Sequence, residues 1–225
     1  MPDLVKPRRA YDSPHRREQA RATRHTVLEA ARVLFTENGY VATTIDAIAT
    51  RANVAPETVY AVFGTKRALL SELVDISIAG GDLALPILDQ PWVQEMREAP
   101  DLRRRIQILA GNGRSILERR AAVDDVVRGA AAADPEIATL WERGKAERHA
   151  GQLAMLRIVM GAAGPPAIGF ETAADILFAL GSPETYRLLV VDRGWTGARF
   201  EHWYGETIER LVLDQISPGP RTDGG

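Results

Sequence analysis

The sequence predicts an all-α protein. Apolar residues recur every three to four positions along most of its 225 residues, and clusters of glycine and proline separate these segments. A helix-start signal stands at Asp134–Pro135–Glu136, and another at Thr43 with Asp46 three residues later. Residues 188–191 have strand propensity but lie within a helical pattern. We therefore expect an N-terminal three-helix bundle followed by a larger helical domain.

Composition narrows the class of protein. Hydrophobic residues make up 45% of the chain and cysteine is absent, so disulfides and thiolate metal sites are excluded. No run of about 18 apolar residues occurs, and the charged N-terminus does not resemble a signal peptide. We expect a cytoplasmic protein with no membrane segment, no metal and no cofactor.

Charge is distributed unevenly along the chain. Residues 1–67 contain 11 basic and 7 acidic residues, a net charge of +4, whereas the remainder contains 17 and 23, a net charge of −6. A basic head and an acidic body suit a protein in which only one end meets phosphate. The alternative is that basic arms are also common in proteins that bind no nucleic acid.

The N-terminal part divides into an arm and a helix. Residues 1–20 hold three prolines and five basic residues and predict a flexible arm. The first helix is expected from about Arg21 to Asn38, ending at Gly39. Its buried stripe is Val27, Leu28, Ala31, Leu34 and Phe35.

Residues 43–63 are predicted to form two short helices joined by a tight turn, which is the pattern of a helix-turn-helix. Thr43 is expected to cap the first helix, and Asn53 suits a left-handed turn. Pro56 fits the first position of the second helix. Ala55 stands where a capping side chain is expected, at a cost of about 1 kcal/mol.

The rest of the chain predicts a helical body. A fourth helix begins at Lys66 and ends near Gly80, and residues 82–100, with three prolines, form a loop or a broken helix. Later helices are expected from Asp101, from Asp134 to about Met160, over residues 170–180 and over residues 198–214. The predicted divisions are an arm at 1–20, a helix-turn-helix domain at 21–67, a larger helical domain at 68–217 and a disordered tail at 218–225.

A set of residues at fixed spacing over positions 26–70 makes the helix-turn-helix assignment more specific. They are Ala31, Leu34, Phe35, Gly39, Tyr40, Thr43, Thr44, Ile48, Ala49, Thr58, Val59, Tyr60, Phe63, Lys66, Ala68 and Leu69. This combination resembles the DNA-binding domain of the TetR (tetracycline repressor)/AcrR family of bacterial regulators. Asn53 departs from the family's usual turn glycine, and Val62 from an aromatic residue or histidine. The resemblance implies a dimeric, ligand-responsive transcription factor, most often a repressor, on a pseudo-palindromic operator in double-stranded DNA.

The candidate DNA contacts lie mainly on the second helix of the motif. Glu57 could accept a hydrogen bond from cytosine, or it could be a solvated acid favoured by the helix dipole. The resemblance implies that Tyr60 and Lys66 contact phosphates; the alternatives are a tyrosine packed on the domain surface and an ordinary exposed lysine. The predicted contacts are Thr43, Thr44, Glu57, Thr58, Tyr60, Lys66, Arg21 and Arg24.

The resemblance also implies a pocket for a small-molecule inducer in the body. Residues 170–214 resemble the family's dimerisation helices and would form a four-helix bundle across a two-fold axis, or they simply close the monomer core. Large apolar residues and the one histidine of the long central helix are pocket candidates, although most such residues are plain core. The candidates are Trp92, Met96, Trp141, His149, Met155 and Phe178.

Motifs for catalysis are missing from the sequence. It contains no G-x-S-x-G elbow, Walker motif or H-E-x-x-H, and its four histidines are far apart with no ligand spacing. We therefore predict a DNA-binding regulator that is not an enzyme. A small helical enzyme and a helical adaptor that binds no DNA remain the alternatives.

Overall fold

A computed structural model describes residues 14–80 and 85–213, and every regular element in these residues is a helix. The predicted all-α fold is confirmed. None of the described helices is long and apolar enough to cross a bilayer. The helices are α1 Pro14–Ala42, α2 Ile45–Ala52, α3 Pro56–Phe63, α4 Lys66–Ala79, α5 Pro91–Glu98, α6 Leu102–Ala131, α7 Pro135–Met160, α8 Phe170–Leu180, α9 Pro183–Tyr186 and α10 Gly197–Leu213, with 3-10 turns at Ile87–Asp89 and Gly161–Ala163 and a π-helical stretch at Arg187–Asp192.

Helix α1 begins at Pro14 rather than at the predicted Arg21. Residues 15–20 are exposed and show no apolar periodicity that would predict a helix. They consist mainly of arginine, glutamate, glutamine and alanine, which favour a helix by their intrinsic propensity. Residues 14–20 are therefore helical and not a flexible arm. The predicted break is confirmed at Gly39, which has a φ of 77°. Residues 1–13 of the predicted arm, and the predicted tail at 218–225, lie outside the described residues.

The cap of α2 is Thr44, not the predicted Thr43. The hydroxyl of Thr44 accepts a hydrogen bond of 3.1 Å from the amide of Ala47. Thr43 is buried, and its Oγ1 lies 3.0 Å from the carbonyl oxygen of Leu34 and 2.8 Å from that of Gly39. The prediction was wrong because two adjacent threonines are equally suited to cap, and the end of α1 decides which of them turns inward.

The turn between α2 and α3 has the predicted geometry. Asn53 adopts a left-handed conformation with φ 54° and ψ 46°, and its amide donates to carbonyls in the last turn of α2. Pro56 is the first residue of α3, as predicted. Ala55 occupies the N-cap position and makes no side-chain hydrogen bond, so the first turn of α3 has no side-chain cap; the amide of Thr58 donates to the Ala55 carbonyl oxygen at 2.9 Å.

The empty cap of α3 predicts a stabilising substitution. Ala55→Ser should raise the free energy of unfolding by about 1 kcal/mol, because residue 55 already has the extended backbone, φ −72° and ψ 146°, that a capping serine needs. Urea denaturation at fixed protein concentration measures the effect. The control is Ala61→Ser, an exposed position inside the same helix, which should give no gain. Equal gains in both variants would contradict the capping argument.

Two hydrophobic cores share helix α6. The head core combines α1 to α4 with Val123 and Val127 from the second half of α6. The body core combines Ile106 and Leu109 from the first half of α6 with residues of α5, α7, α8 and α10. Leu69 of α4 is buried in the head core, although the predicted boundary after residue 67 places it in the body; that boundary stays a prediction. Helix α4 belongs to the head by its packing.

Candidate nucleic-acid interface and cavity

Helix α3 presents one face to solvent and one to the head core. Val59 and Phe63 are buried in that core. On the opposite face Glu57 is exposed and the Tyr60 side chain is 53% exposed, while Thr58 is half-buried. The structure therefore brings a carboxylate and a phenol together on one outward surface, with a hydroxyl beside them. Such groups can contact phosphates and base edges.

The two threonines before α2 have different surroundings. Thr44 is exposed at the N-terminus of α2, where helix amides and the helix dipole favour an anion. The hydroxyl of Thr43 faces inward onto two carbonyl oxygens and is buried. In this conformation the Thr43 hydroxyl is therefore turned away from solvent, whereas that of Thr44 is accessible; the DNA contacts of both threonines stay predictions.

Lys66 has an internal role that the sequence did not reveal. Its Nζ donates to the carbonyl oxygens of Tyr40 at 2.8 Å and Thr43 at 2.9 Å, and it lies 4.2 Å from the centre of the Tyr40 ring. Burial lowers the pKa of this ammonium group. Lys66 therefore ties the start of α4 to the junction of α1 and α2. Its predicted phosphate contact remains a prediction.

The two predicted arginines differ as well. Arg24 pairs with Glu72 of α4 at 2.5 Å and lies over the Phe63 ring, 5.0 Å from its centre. Arg24 therefore links α1, α3 and α4 of the head, and these contacts engage part of its guanidinium group. Arg21, one turn earlier on α1, is exposed.

Both ends of α4 are held by groups from the body. Near the N-terminus, Arg67 pairs with Glu136 in the first turn of α7 and lies 3.9 Å from Asp134, the cap of that helix. Near the C-terminus, Arg119 of α6 donates to the carbonyl oxygen of Ser77 at 3.1 Å. Helix α4 therefore cannot move relative to the body without disturbing these contacts.

A cavity of about 430 Å³ lies beside α4, in the body of the protein. Val74 and Ile78 of α4 form one wall, Trp92 of α5 a second, and α6 and α7 the others, with Tyr204 of α10 at one side. Most of the lining is apolar, with a few polar groups, as is usual for small-molecule sites. A larger groove, of about 560 Å³, lies on the surface between the end of α1 and α6.

Only two of the six predicted pocket residues, Trp92 and Met155, line this cavity. Met96 is fully buried in the body core, and Trp141 packs against the head core. The other two, His149 and Phe178, form an edge-on ring pair with centres 5.6 Å apart, and His149 pairs with Asp175 at 2.8 Å. These four side chains lie outside the lining of this cavity, and their contact with a ligand stays a prediction. Large side chains in this body mostly fill the cores.

Polar groups missed by the sequence analysis line the cavity. Arg148 and Gln152 of α7 lie one turn apart on its wall, and Tyr204 faces them from α10. Burial raises the pKa of Tyr204 to about 12, while a hydrogen bond with Gln152 opposes this effect. Asp75 of α4 also lines the cavity, and burial raises its pKa above the ordinary value for a carboxyl.

A buried ion pair connects the cavity with the head core. Arg120 of α6 donates to both carboxylate oxygens of Asp124, with distances of 2.6 and 3.0 Å. Arg120 lines the cavity, and Val123 and Val127 on either side of Asp124 belong to the head core. Burial raises the pKa of Asp124, and Arg120 opposes this rise.

The N-terminal part of the chain matches a known protein family. Residues 27–73 match the model of a family described as bacterial regulatory proteins, tetR family. This part of the chain is therefore similar to the N-terminal domain of the TetR family. The match begins within α1 and covers α2, α3 and more than half of α4. It confirms the predicted resemblance to the TetR family. No curated protein matches the chain.

Solved structures support the same fold over most of the chain. A protein from Mesorhizobium loti described as a TetR-family transcriptional regulator has a TM-score of 0.66 at 20% identity, and the alignment covers 86% of this chain and 96% of that one. FadR from Bacillus subtilis, solved with stearoyl-CoA, has a TM-score of 0.65 at 17% identity, with 84% and 97% covered. A regulator from Saccharomonospora viridis, solved with choline, has a TM-score of 0.63 at 19% identity, with 85% and 97% covered. At these identities the likeness establishes the fold: a TetR-type head followed by a larger helical domain.

The TetR-type head and the cavity differ in how well the sequence reveals them. A signal for the cavity is present on α7, where Gly144, Arg148, Gly151 and Met155 recur every three to four residues. Small and charged residues on this stripe, between large apolar ones, indicate a helix face that borders a space rather than a packed core.

Proposed function

We propose that this protein is a ligand-responsive transcriptional regulator that binds a pseudo-palindromic operator as a homodimer and is released by a small molecule. The observation that carries the proposal is the position of α4. One side of it is buried in the head core through Leu69 and Leu73, and the other side lines the cavity through Val74 and Ile78. A molecule in the cavity therefore touches the same helix that supports the DNA-facing surface.

The proposed mechanism is a shift between two conformations. A ligand that prefers a wider cavity pushes α4 away from α7, and the contacts of Arg67 and Arg119 at the ends of α4 must then rearrange. The operator complex weakens by the ligand's difference in affinity for the two conformations. The complexes of FadR with stearoyl-CoA and of the Saccharomonospora viridis regulator with choline support a ligand in this type of fold.

We infer that the dimer forms through α8 and α10, within the predicted region 170–214. In a two-fold dimer, these helices would pack against their copies as a four-helix bundle. Recognition helices in such a dimer lie about 34 Å apart or somewhat more, so that they meet successive major grooves. Sedimentation of the purified protein tests this inference.

The test of the proposed function is operator binding and its release. The protein should retard fragments of the DNA adjoining its own gene at low salt, and its affinity should fall steeply as salt rises. A ligand that occupies the cavity should weaken this complex while the dimer persists. Failure to retard any such fragment would favour the enzyme or the adaptor, and loss of the dimer with ligand would contradict the mechanism.

Two substitutions on α3 separate phosphate contact from base reading. Tyr60→Phe removes one exposed phenolic donor and should weaken binding about two- to tenfold on all operator sequences alike. Glu57→Ala should change the preference among operator variants if the carboxylate reads a base. Gel retardation with a panel of operator variants measures both effects. The charge-matched control is Glu98→Ala, exposed on α5 in the body, and the contact assignments are wrong if neither α3 variant differs from it.

A further inference from the structure

Arg148 is a charged group in the cavity wall without a counter-charge of its own. Its guanidinium lies over the Phe178 ring, 3.9 Å from the ring centre, and donates to the Phe178 carbonyl oxygen at 2.7 Å. It forms no ion pair with any carboxylate of the described residues. Burying a cation without an ionic partner is costly, so this position favours an anion supplied from outside.

The nearest carboxylates do not fill that role. Asp124 is held by Arg120 in a two-bond ion pair. Glu184 is close enough to raise the pKa of Arg148, but it does not line the cavity, and its buried Oε2 makes no hydrogen bond. Burial lowers the pKa of Arg148 by more than the two carboxylates raise it, so this pKa is lowered overall. The cavity side of Arg148 therefore remains the side from which a further anion can approach.

Two glycines leave this approach open. Gly144 and Gly151 lie on the same face of α7, one turn before and one turn after Arg148, and both line the cavity. A Cβ added at either position would meet no atom within 4 Å. Each glycine inside a helix costs about 0.5–1 kcal/mol relative to alanine, so helix stability does not account for them. They leave space on both sides of the guanidinium.

Two further charged side chains of α7, Arg143 and Glu147, line the cavity, and they pair with each other at 3.5 Å, so their charges offset each other. The other polar groups on this wall are neutral. Gln152 follows Arg148 by one turn, and the phenol of Tyr204 stays protonated near neutral pH because its pKa is about 12. Away from this wall the lining includes Val74, Ile78 and Trp92. The cavity is therefore polar at the α7 wall and mainly apolar toward α4 and α5, although the lining on α4 includes the carboxyl of Asp75.

We propose that the effector is an organic anion, with a carboxylate or a similar head against Arg148 and Gln152 and an apolar body that extends toward α4 and Trp92. This inference rests on the proposed function, because it assigns a chemical class to the effector. The anionic group of the effector binds between the two glycines of α7. The apolar body then contacts Val74 and Ile78 and transmits occupancy to the DNA-binding head.

The experiment compares matched probes. Binding of decanoate and naphthoate is measured by calorimetry on the full chain, beside the alcohol and the amine that have the same carbon skeletons. The carboxylates should bind most tightly, and Arg148→Met should weaken them about ten- to a hundredfold while leaving the alcohols unchanged. Arg148→Lys should restore part of the preference, because the charge returns without the planar fork.

A second variant tests the site without removing the arginine. Gly151→Leu should fold, because leucine favours the helix and the space is empty, but it should reduce binding of all carboxylates and alcohols. Operator binding without a ligand is measured on every variant, so that failure of the regulator hypothesis is seen separately. The proposal is overturned if alcohols or amines bind as well as carboxylates, if Arg148→Met keeps the preference, or if no carboxylate binds at all.

Discussion

Arg120→Met should destabilise the protein by about 3–5 kcal/mol at neutral pH. The side chains of Arg120 and Asp124 are only 9% and 5% exposed, and together they form a two-bond ion pair inside the body. Removing the arginine leaves Asp124 as a buried carboxylate without its partner, which costs much more than the pair contributes over an apolar packing. Urea denaturation at fixed protein concentration measures the loss.

The matched control removes both charges. Arg120→Met combined with Asp124→Leu should recover most of the lost stability, because no unpaired polar group remains. If the double variant is as unstable as the single one, lost packing and not the orphaned carboxylate is the cause.

The pH dependence of the single variant gives an independent check. Burial already raises the pKa of Asp124, and loss of Arg120 removes its main opposing influence. A raised pKa in the folded state means that the protonated acid favours folding, so stability is lost as pH rises through that pKa. The deficit of Arg120→Met should therefore be smaller at pH 5 than at pH 8, and an equal deficit at both would contradict this account.

Phe35→Ala should lower the free energy of unfolding by about 3–5 kcal/mol. Phe35 is 1% exposed, lies in the head core and packs against the Tyr40 ring with centres 5.6 Å apart. Alanine would leave a cavity where the helices of the head meet, and such a cavity adds to the lost transfer free energy. Operator affinity should fall as well, because α3 depends on this core for its position.

The control for Phe35 lies six residues later on the same helix. Val41 is 73% exposed, so Val41→Ala should change stability by no more than about 0.5 kcal/mol. Chemical denaturation compares the two variants, and hydrogen exchange shows whether the loss begins in the head. A loss below about 1 kcal/mol for Phe35→Ala would mean that the core closes around the missing ring.

The head was largely predictable from the sequence because its signals are local. Asn53 in the turn and Pro56 at the start of α3 each act within a few residues, and the structure has both as expected. The exchanged roles of Thr43 and Thr44 could not be foreseen, because they depend on where α1 ends. The inward hydrogen bonds of Lys66 join residues 23 and 26 positions apart, and no local pattern records such contacts.

The cavity was much less predictable. Small residues such as Gly144 and Gly151 leave the space of a cavity, whereas the large side chains that were predicted to line it mostly fill space. Met96, for example, was expected to line the pocket and is buried in the body core instead. Arg148 stands out only when its neighbours in space are known, because an arginine on a helix is more often solvated.

Helix α6 limits how such a protein can be divided. Its first half belongs to the body core and its second half to the head core, so one rod of 30 residues serves both. A chimera joined in the segment after α4 would separate the head from Val123 and Val127, which complete its interior. A head that is moved to another protein must therefore carry the second half of α6 as well as the N-terminal helices. Sequence changes in the head and in the body are consequently linked through this one helix.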